Sequence, residues 1–300
     1  MKKKKATRPL TLRERCRQIF GNPPPPRYVW EKEFDYCDEQ LQALAVKEWD
    51  QIQARELSGY YLLNLAYVEP LQPELFRYLF PICLAVWCES LTNGECFEDF
   101  LHVTRRGRIL EKMITAKERD GILNALCDSF IHRLEQERGF IYSGSFTPAY
   151  QWLYAFNDLG ETLPVIEPVW QRWWSLDTPG KAVCAIMYAS GLIYENGENP
   201  IFHRWSKTHG GGGPYLAELS GDFDSDGWLP ENLSFFKRTL TADWLLENLE
   251  RAASVLQGEQ EEAMANAIVS DAHQRQEIIT IQISDLIDGL APAQERTERS

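Results

Sequence analysis

Hydrophobic residues recur at helical intervals along most of this chain, most densely over residues 67–91. Pro73 suits the first turn of a helix, where its missing N–H costs nothing, and Glu74 behind it favours the positive end of the helix dipole. From Leu75 onward apolar residues occupy nearly the whole circumference, which predicts a helix buried on almost every side. Pro81 removes one backbone bond, so a kink or a split into two pieces is expected there. The other elements are expected to pack around this rod.

Amphipathic stretches with start and stop signals flank it. Thr11-Leu-Arg-Glu14 reads as a capping box opening a short helix to about Phe20. Asp38 is a candidate N-cap for a helix through about Arg55, with Leu41, Leu44, Val46 and Trp49 near one face. A short helix around Gly59 to Tyr67 leads into the rod, and Asn93-Gly94 breaks the chain after it. Thr115-Ala-Lys-Glu118 is the strongest capping box; Ile122, Leu123, Leu126, Phe130 and Leu134 follow at helical spacing until Gly139.

Thr147-Pro148 predicts a helix to about Leu159, Glu167 to Trp174 another, and Thr178-Pro179 one that ends near Asn196-Gly197. Thr241 caps a helix in which Trp244, Leu245, Leu249, Ala252 and Leu256 line one face, with a continuation past Gly258 through Ala263 and Ile268. The stretch after Glu277 fits two periods: Ile279, Ile281 and Ile283 alternate as in a strand, while Ile279, Ile283, Leu286 and Leu290 suit a helix. Residues 197–232, with Gly210 to Gly213 and prolines at 200, 214 and 230, lose periodicity and read as one long irregular segment.

No internal repeat and no alternation of strands with helices is found, so the expected class is mainly α: an irregular multi-helix bundle with a long Gly/Asp/Pro-rich loop region. The expected division is a basic flexible arm with a polyproline spacer over 1–31, a helical domain over 32–290 with sublobes 32–140 and 141–290, and a disordered tail over 291–300.

Charge changes the picture. The first twenty residues carry eight basic side chains against Glu14, a net +7, so the other 280 hold −20 of a chain whose total is −13. An acidic body repels phosphate backbones, which leaves the basic arm as the one place suited to nucleic acid. No apolar core follows the lysines after Met1, and the longest apolar run, Leu79 to Cys88, is ten residues, too short for a bilayer. Seven cysteines without paired spacing suggest reduced thiols, hence a cytosolic protein with no membrane association.

Pro73-Glu-Leu-Phe76-Arg77-Tyr78-Leu79-Phe80-Pro81, with an acidic helix upstream containing Trp49, resembles a motif of small bacterial helical proteins of unknown function. The likeness covers about residues 35–92. It implies a bacterial, cytosolic origin and supplies no site residues.

Three patterns carry candidate chemistry. Asp222, Asp224 and Asp226 with Gly227 match positions 1, 3, 5 and 6 of a calcium loop and place Trp228 at position 7, although Leu233 stands where a bidentate Glu belongs. Calcium is therefore the one candidate cofactor, set against an aspartate-rich surface turn. Arg204 and His209 have the Arg-x4-His spacing of helical ribonucleases of the HEPN type, which implies a proton-moving histidine beside a charge-holding arginine. Trp152, Trp173 and Trp174, in a cluster with Tyr150, Tyr154 and Trp170, suit either a stacked ligand or partner anchor, or a core. His209-Gly-Gly-Gly-Gly213 resembles a hydrolase oxyanion loop, but no Gly-x-Ser-x-Gly accompanies it.

The resulting expectation is a soluble, acidic, macromolecule-binding protein with a protein partner and an immunity-like or regulatory role. The alternatives are a ribonuclease using Arg204 and His209, and a calcium-binding module.

Overall fold

The computed structural model describes residues 8–26, 38–53, 55–57, 72–93, 104, 108–140, 149–159, 166–194, 198–201 and 228–291. Every element named among them is a helix, so the mainly α class holds. The chain falls into two compact units: Met1–Ser90 with Cys96–Leu126, and Leu91–Glu95 with Cys127–Ser300.

The first unit contains α1 (Leu12–Ile19), α2 (Asp38–Val46), a 3-10 turn (Trp49–Gln51), most of α3 (Pro73–Asn93), α4 (Ile109–Lys112) and the start of α5 (Ala116–Glu135). At α1 both bonds of the capping box are made: the Glu14 N–H donates to Thr11 Oγ1 at 3.2 Å and the Thr11 N–H to Glu14 Oε2 at 2.7 Å. Cys16 and Phe20 are buried, and Phe20 meets Phe76 and Phe80 edge-on at 6.3 and 5.7 Å. Residues 12–20 of the expected flexible arm thus form a helix and its cap that bury Cys16 and Phe20.

Helix α2 stops at Val46 rather than near Arg55. Leu41, Leu44 and Ala45 form its buried stripe, and Val46, turned off that stripe, is 78% exposed. Trp49 reaches the core from the 3-10 turn, where its indole N–H donates to the Tyr78 carbonyl at 3.1 Å. The helix expected over 59–67 lies outside the described residues.

Helix α3 is the buried rod. It runs unbroken through Pro81, so the expected split does not occur. Phe76, Leu79 and Trp87 are 1%, 0% and 3% exposed, and Phe76 stacks on Phe80 at 4.7 Å. A 21-residue helix of this composition is long and apolar enough to cross a membrane, which the ten-residue run alone did not reveal; 83% of its apolar window is buried inside the protein, as in a core helix.

The second unit holds the end of α5, a 3-10 turn (Ala149–Leu153), α6 (Tyr154–Leu159), α7 (Ile166–Trp173), α8 (Pro179–Ile193), α9 (Pro230–Thr239), α10 (Ala242–Val255), α11 (Glu262–Gln274) and α12 (Gln276–Leu290). Helix α8 packs on α10, α11 and α12 and is buried at nearly every position. Its start is fixed as the sequence predicts, with Thr178 accepting from the Lys181 N–H and Pro179 in the first turn; its end, at Ile193, comes a few residues earlier than expected.

Gly180 lets α8 approach α5 closely. A Cβ there would come within 2.3 Å of the Glu135 carbonyl oxygen and 2.5 Å of that of Leu134. The positive start of α8 is thereby set against carbonyls at the negative end of α5.

Two expectations are corrected at the C-terminal end. Gly258, at φ +81°, divides α10 from α11, so no single helix passes it. Pro230 opens α9 inside the stretch read as irregular; Leu233, Phe235 and Phe236 are buried on it, and residues 202–227 lie outside the described residues. In α12 the helical period prevails over the strand period: Ile279, Ile283 and Leu290 are buried, and Ile281 is 59% exposed.

A buried asparagine pair sets α9 beside α7. Asn157 of α6 accepts from the Leu229 N–H at 2.9 Å and from Asn232 Nδ2 at 3.1 Å. Asn232 Oδ1 in turn accepts from the Ile166 N–H at 3.4 Å, which occupies one of the free donors at the start of α7.

Candidate functional site

Three helices of the second unit turn stripes of one face toward a common cleft of about 490 Å³. Helix α7 and the residue after it contribute Glu167, Trp170, Gln171 and Trp174, at i, i+3, i+4 and i+7. Helix α9 adds Phe235, Arg238 and Thr239, and α10 adds Trp244, Glu247, Asn248 and Arg251, again at i, i+3, i+4 and i+7. The volume falls within the range of roughly 300–1,000 Å³ usual for small-ligand sites.

The aromatic wall is held from behind. Tyr150 stacks on Trp173 at 5.5 Å, and Tyr188 meets Trp170 and Trp173 edge-on at 5.7 and 5.8 Å. Trp170 also meets Phe236 edge-on at 5.0 Å. Trp244 stacks on Trp170 at 5.8 Å and meets Trp174 at 4.7 Å. Trp170 and Trp174 are buried, whereas Trp244 is only half-buried and keeps part of its surface in the opening.

The polar groups are unevenly satisfied. The Trp173 indole N–H donates to the Lys181 carbonyl at 3.2 Å. The indole N–H groups of Trp170 and Trp174 and the Tyr188 hydroxyl have no hydrogen-bond partner among the described residues. Leaving a buried donor unpaired costs about 1–3 kcal/mol, a cost carried inside the aromatic cluster behind the cleft. Burial pushes the Tyr188 hydroxyl up from its ordinary pKa, which keeps it neutral.

Arg251 is positioned by Asn248 Oδ1 at 2.8 Å and the Ser175 carbonyl at 3.3 Å, and Asn248 Nδ2 donates to the Trp244 carbonyl at 2.8 Å. Gln171 Nε2 donates to Glu167 Oε1 at 3.0 Å. Arg238 is exposed and makes no ion pair among the described residues. The cleft therefore offers aromatic faces with two arginines and two glutamates around them, chemistry suited to holding a ligand.

Arg204, His209, Asp222, Asp224 and Asp226 lie outside the described residues. Trp228 is buried; its backbone N–H donates to the Leu290 carbonyl at 2.8 Å and its ring meets Phe236 at 5.2 Å, so it packs α9 against α12. Of the three tryptophans singled out for binding, Trp174 lines the cleft, Trp173 sits in the core behind it, and Trp152 is buried against Tyr154. Trp244, read as part of the apolar face of α10, stands one stripe away from Leu245, Leu249, Ala252 and Leu256, which are fully buried. Arg238 and Arg251 were missed. The signal available was tryptophan among polar residues at i, i+3, i+4 and i+7, in both 167–174 and 244–251.

Two other arrangements are structural. Lys181 Nζ lies 3.3 Å from Ser175 Oγ, as in a Ser–Lys pair, but Asp177 binds the same ammonium at 2.7 Å and the Ser175 hydroxyl donates to the Arg172 carbonyl. That bond to Lys181 holds the Asp177 carboxyl below its usual range. Cys16, Cys83, Cys88, Cys127 and Cys184 are buried free thiols, and among the described residues no group of three His, Cys, Asp or Glu side chains is placed to hold a metal.

No family model matches the chain, and no curated protein or solved structure is similar to it. The likeness noted for residues 35–92 brings no residue role to the cleft.

Proposed function

We propose that this is a cytosolic binding protein that engages another protein through the tryptophan cleft of its second unit, in an immunity-like or regulatory role. The observation that carries the reading is the composition of that cleft: three tryptophans, one of them only half-buried, beside two arginines and two glutamates. Tryptophan and arginine are the side chains that most often dominate binding energy at protein interfaces, because one buries a large rigid face and the other offers several directed donors. The net charge of −13 favours encounter with a basic partner and makes that encounter sensitive to salt.

Capture by the immobilised full chain tests the reading. A partner should be retained at low salt by the wild-type protein, lost at high salt, and lost or strongly reduced with Trp244→Ala and with Arg238→Ala. Retention unaffected by both substitutions, or no partner at either salt concentration, would overturn it.

A further inference from the structure

We infer that Cys16 and Cys88 form a redox switch: oxidation by a hydroperoxide joins their sulfurs in a disulfide that locks α1, with Arg13, Arg15 and Arg17, onto α3. The pairing follows from how the two helices meet inside the first unit. Phe20, at the end of α1, lies on Phe76 and Phe80, while near its start Arg13 Nε stands 3.9 Å from Glu89 Oε1. Contacts that climb α3 as they descend α1 mean that the two helices run antiparallel. Cys16 falls between those contacts on α1, and its thiol is hydrogen-bonded to that of Cys88, the residue before Glu89. Both cysteines are completely buried.

In the resting protein the pair only packs. The hydrogen bond with Cys88, and then burial, raise the Cys16 thiol far above its ordinary pKa, so no thiolate meets an oxidant there. Reaction therefore waits for α1 to lift away. That opening is local, because α1 is eight residues long and buries only Cys16, with Phe20 at its end. In water Cys16 regains the acidity of an ordinary thiol, loses its proton and attacks one oxygen of hydrogen peroxide. The O–O bond breaks, a sulfenic acid forms on Cys16, and the other oxygen leaves as hydroxide, which takes up the Cys16 proton. When α1 settles back, the Cys88 sulfur attacks the sulfenic sulfur. The S–S bond forms, the S–O bond breaks, and hydroxide leaves with the Cys88 proton as water. The two thiols give up two electrons and two protons in all, and the peroxide becomes two waters. A thiol reductant reverses the bond, as befits a transient disulfide in a cytosolic protein.

Treatment of the folded full chain with hydrogen peroxide, then alkylation in urea and non-reducing peptide mapping, tests the switch. A peptide joined through Cys16 and Cys88 is expected, while Cys83, equally buried on α3, stays reduced. Trypsin cleavage after Arg13, Arg15 or Arg17 should then slow at least about fivefold and recover with dithiothreitol, because cleavage there needs the same opening. Thr11→Ala, which removes the α1 cap, should speed cross-linking about fivefold, the scale of one lost cap. Cys16→Ala should make cleavage in α1 insensitive to peroxide; circular dichroism establishes that each variant, and the oxidised wild type, is folded. No cross-link at millimolar peroxide, a cross-link only after unfolding, or Cys16 joined to a different cysteine would overturn the switch. A cross-link that leaves cleavage unchanged, or slowing that persists in Cys16→Ala, would overturn the lock on α1. Cross-linking no faster in Thr11→Ala would overturn the opening step.

Discussion

Helix α5 has an arginine–glutamate pair near each end, and the two pairs behave in opposite ways. At its start, in the first unit, Glu118 is buried, and burial alone would raise its pKa. The Arg77 guanidinium, which reaches both carboxylate oxygens, and the Thr115 N–H and hydroxyl at 2.8 and 3.0 Å outweigh that and hold the carboxyl below its ordinary value. Past its end, in the second unit, Glu137 faces Arg133 across an ion pair with both side chains almost completely dry. There burial wins, and the Glu137 carboxyl is raised despite the arginine. The Arg77 side chain, by contrast, is 36% exposed and stays partly hydrated. The lesson is that an arginine neighbour does not by itself stabilise a carboxylate. Water at the cation and backbone donors at the anion decide whether the attraction exceeds the desolvation cost.

The largest test of this contrast is Arg133→Ala. It strands Glu137 in a dry site and should cost about 3–5 kcal/mol at neutral pH, read by urea unfolding. The paired change Arg133→Met with Glu137→Leu should recover most of that loss; if it does not, the pair stabilises more than desolvation takes away. Next comes Gly180→Ala at the same end of α5. Its Cβ would strike the carbonyls of Leu134 and Glu135, and a loss of about 2–3 kcal/mol is expected in the same measurement. A change near zero would mean that α8 can move away at no cost.

At the other end, Glu118→Ala removes the capping-box acceptor and the partner of Arg77 together, for an expected loss of about 1–2 kcal/mol in thermal or urea unfolding. The smallest effects, and the sharpest for the comparison, are the pH slopes. The folded pKa of Glu118 lies below its unfolded value. Its contribution is therefore complete above the ordinary glutamate range and is lost as pH falls through the folded value. The folded pKa of Glu137 lies above its unfolded value. Its cost is absent below the ordinary range and grows as pH rises through the ordinary value toward the folded one. As pH falls below the ordinary glutamate range, Glu118→Gln should become progressively less destabilising relative to wild type; as pH rises above that range, it is Glu137→Gln that should become progressively less destabilising. Parallel slopes for the two variants would remove the distinction drawn here.

Much of the fold was legible because the deciding interactions are local. Capping boxes at Thr11 and Thr115, the Thr178-Pro179 start and the dense apolar run of α3 each bring their own signal within a few residues, and each helix is found where that signal stands. Val46, Trp244 and Ile281 show where periodicity misleads. Each is apolar at a spacing that suits a face, yet each lies away from the fully buried stripe of its element. The cleft was legible only in part. Trp174 stood out as an aromatic, but Arg238 and Arg251 are unremarkable in sequence and gain meaning only from what stands opposite them.

The amino-acid sequence by itself determined the mainly helical class, the starts of the main helices and the burial of α3, because caps, turns and hydrophobic period act within one or two turns of chain. Only the tertiary structure decided which tryptophans are core and which line a cleft, and which buried carboxylate keeps its charge. Those outcomes depend on side chains far apart in sequence, such as Glu167 and Arg251 or Arg77 and Glu118, and on how much water packing leaves between them.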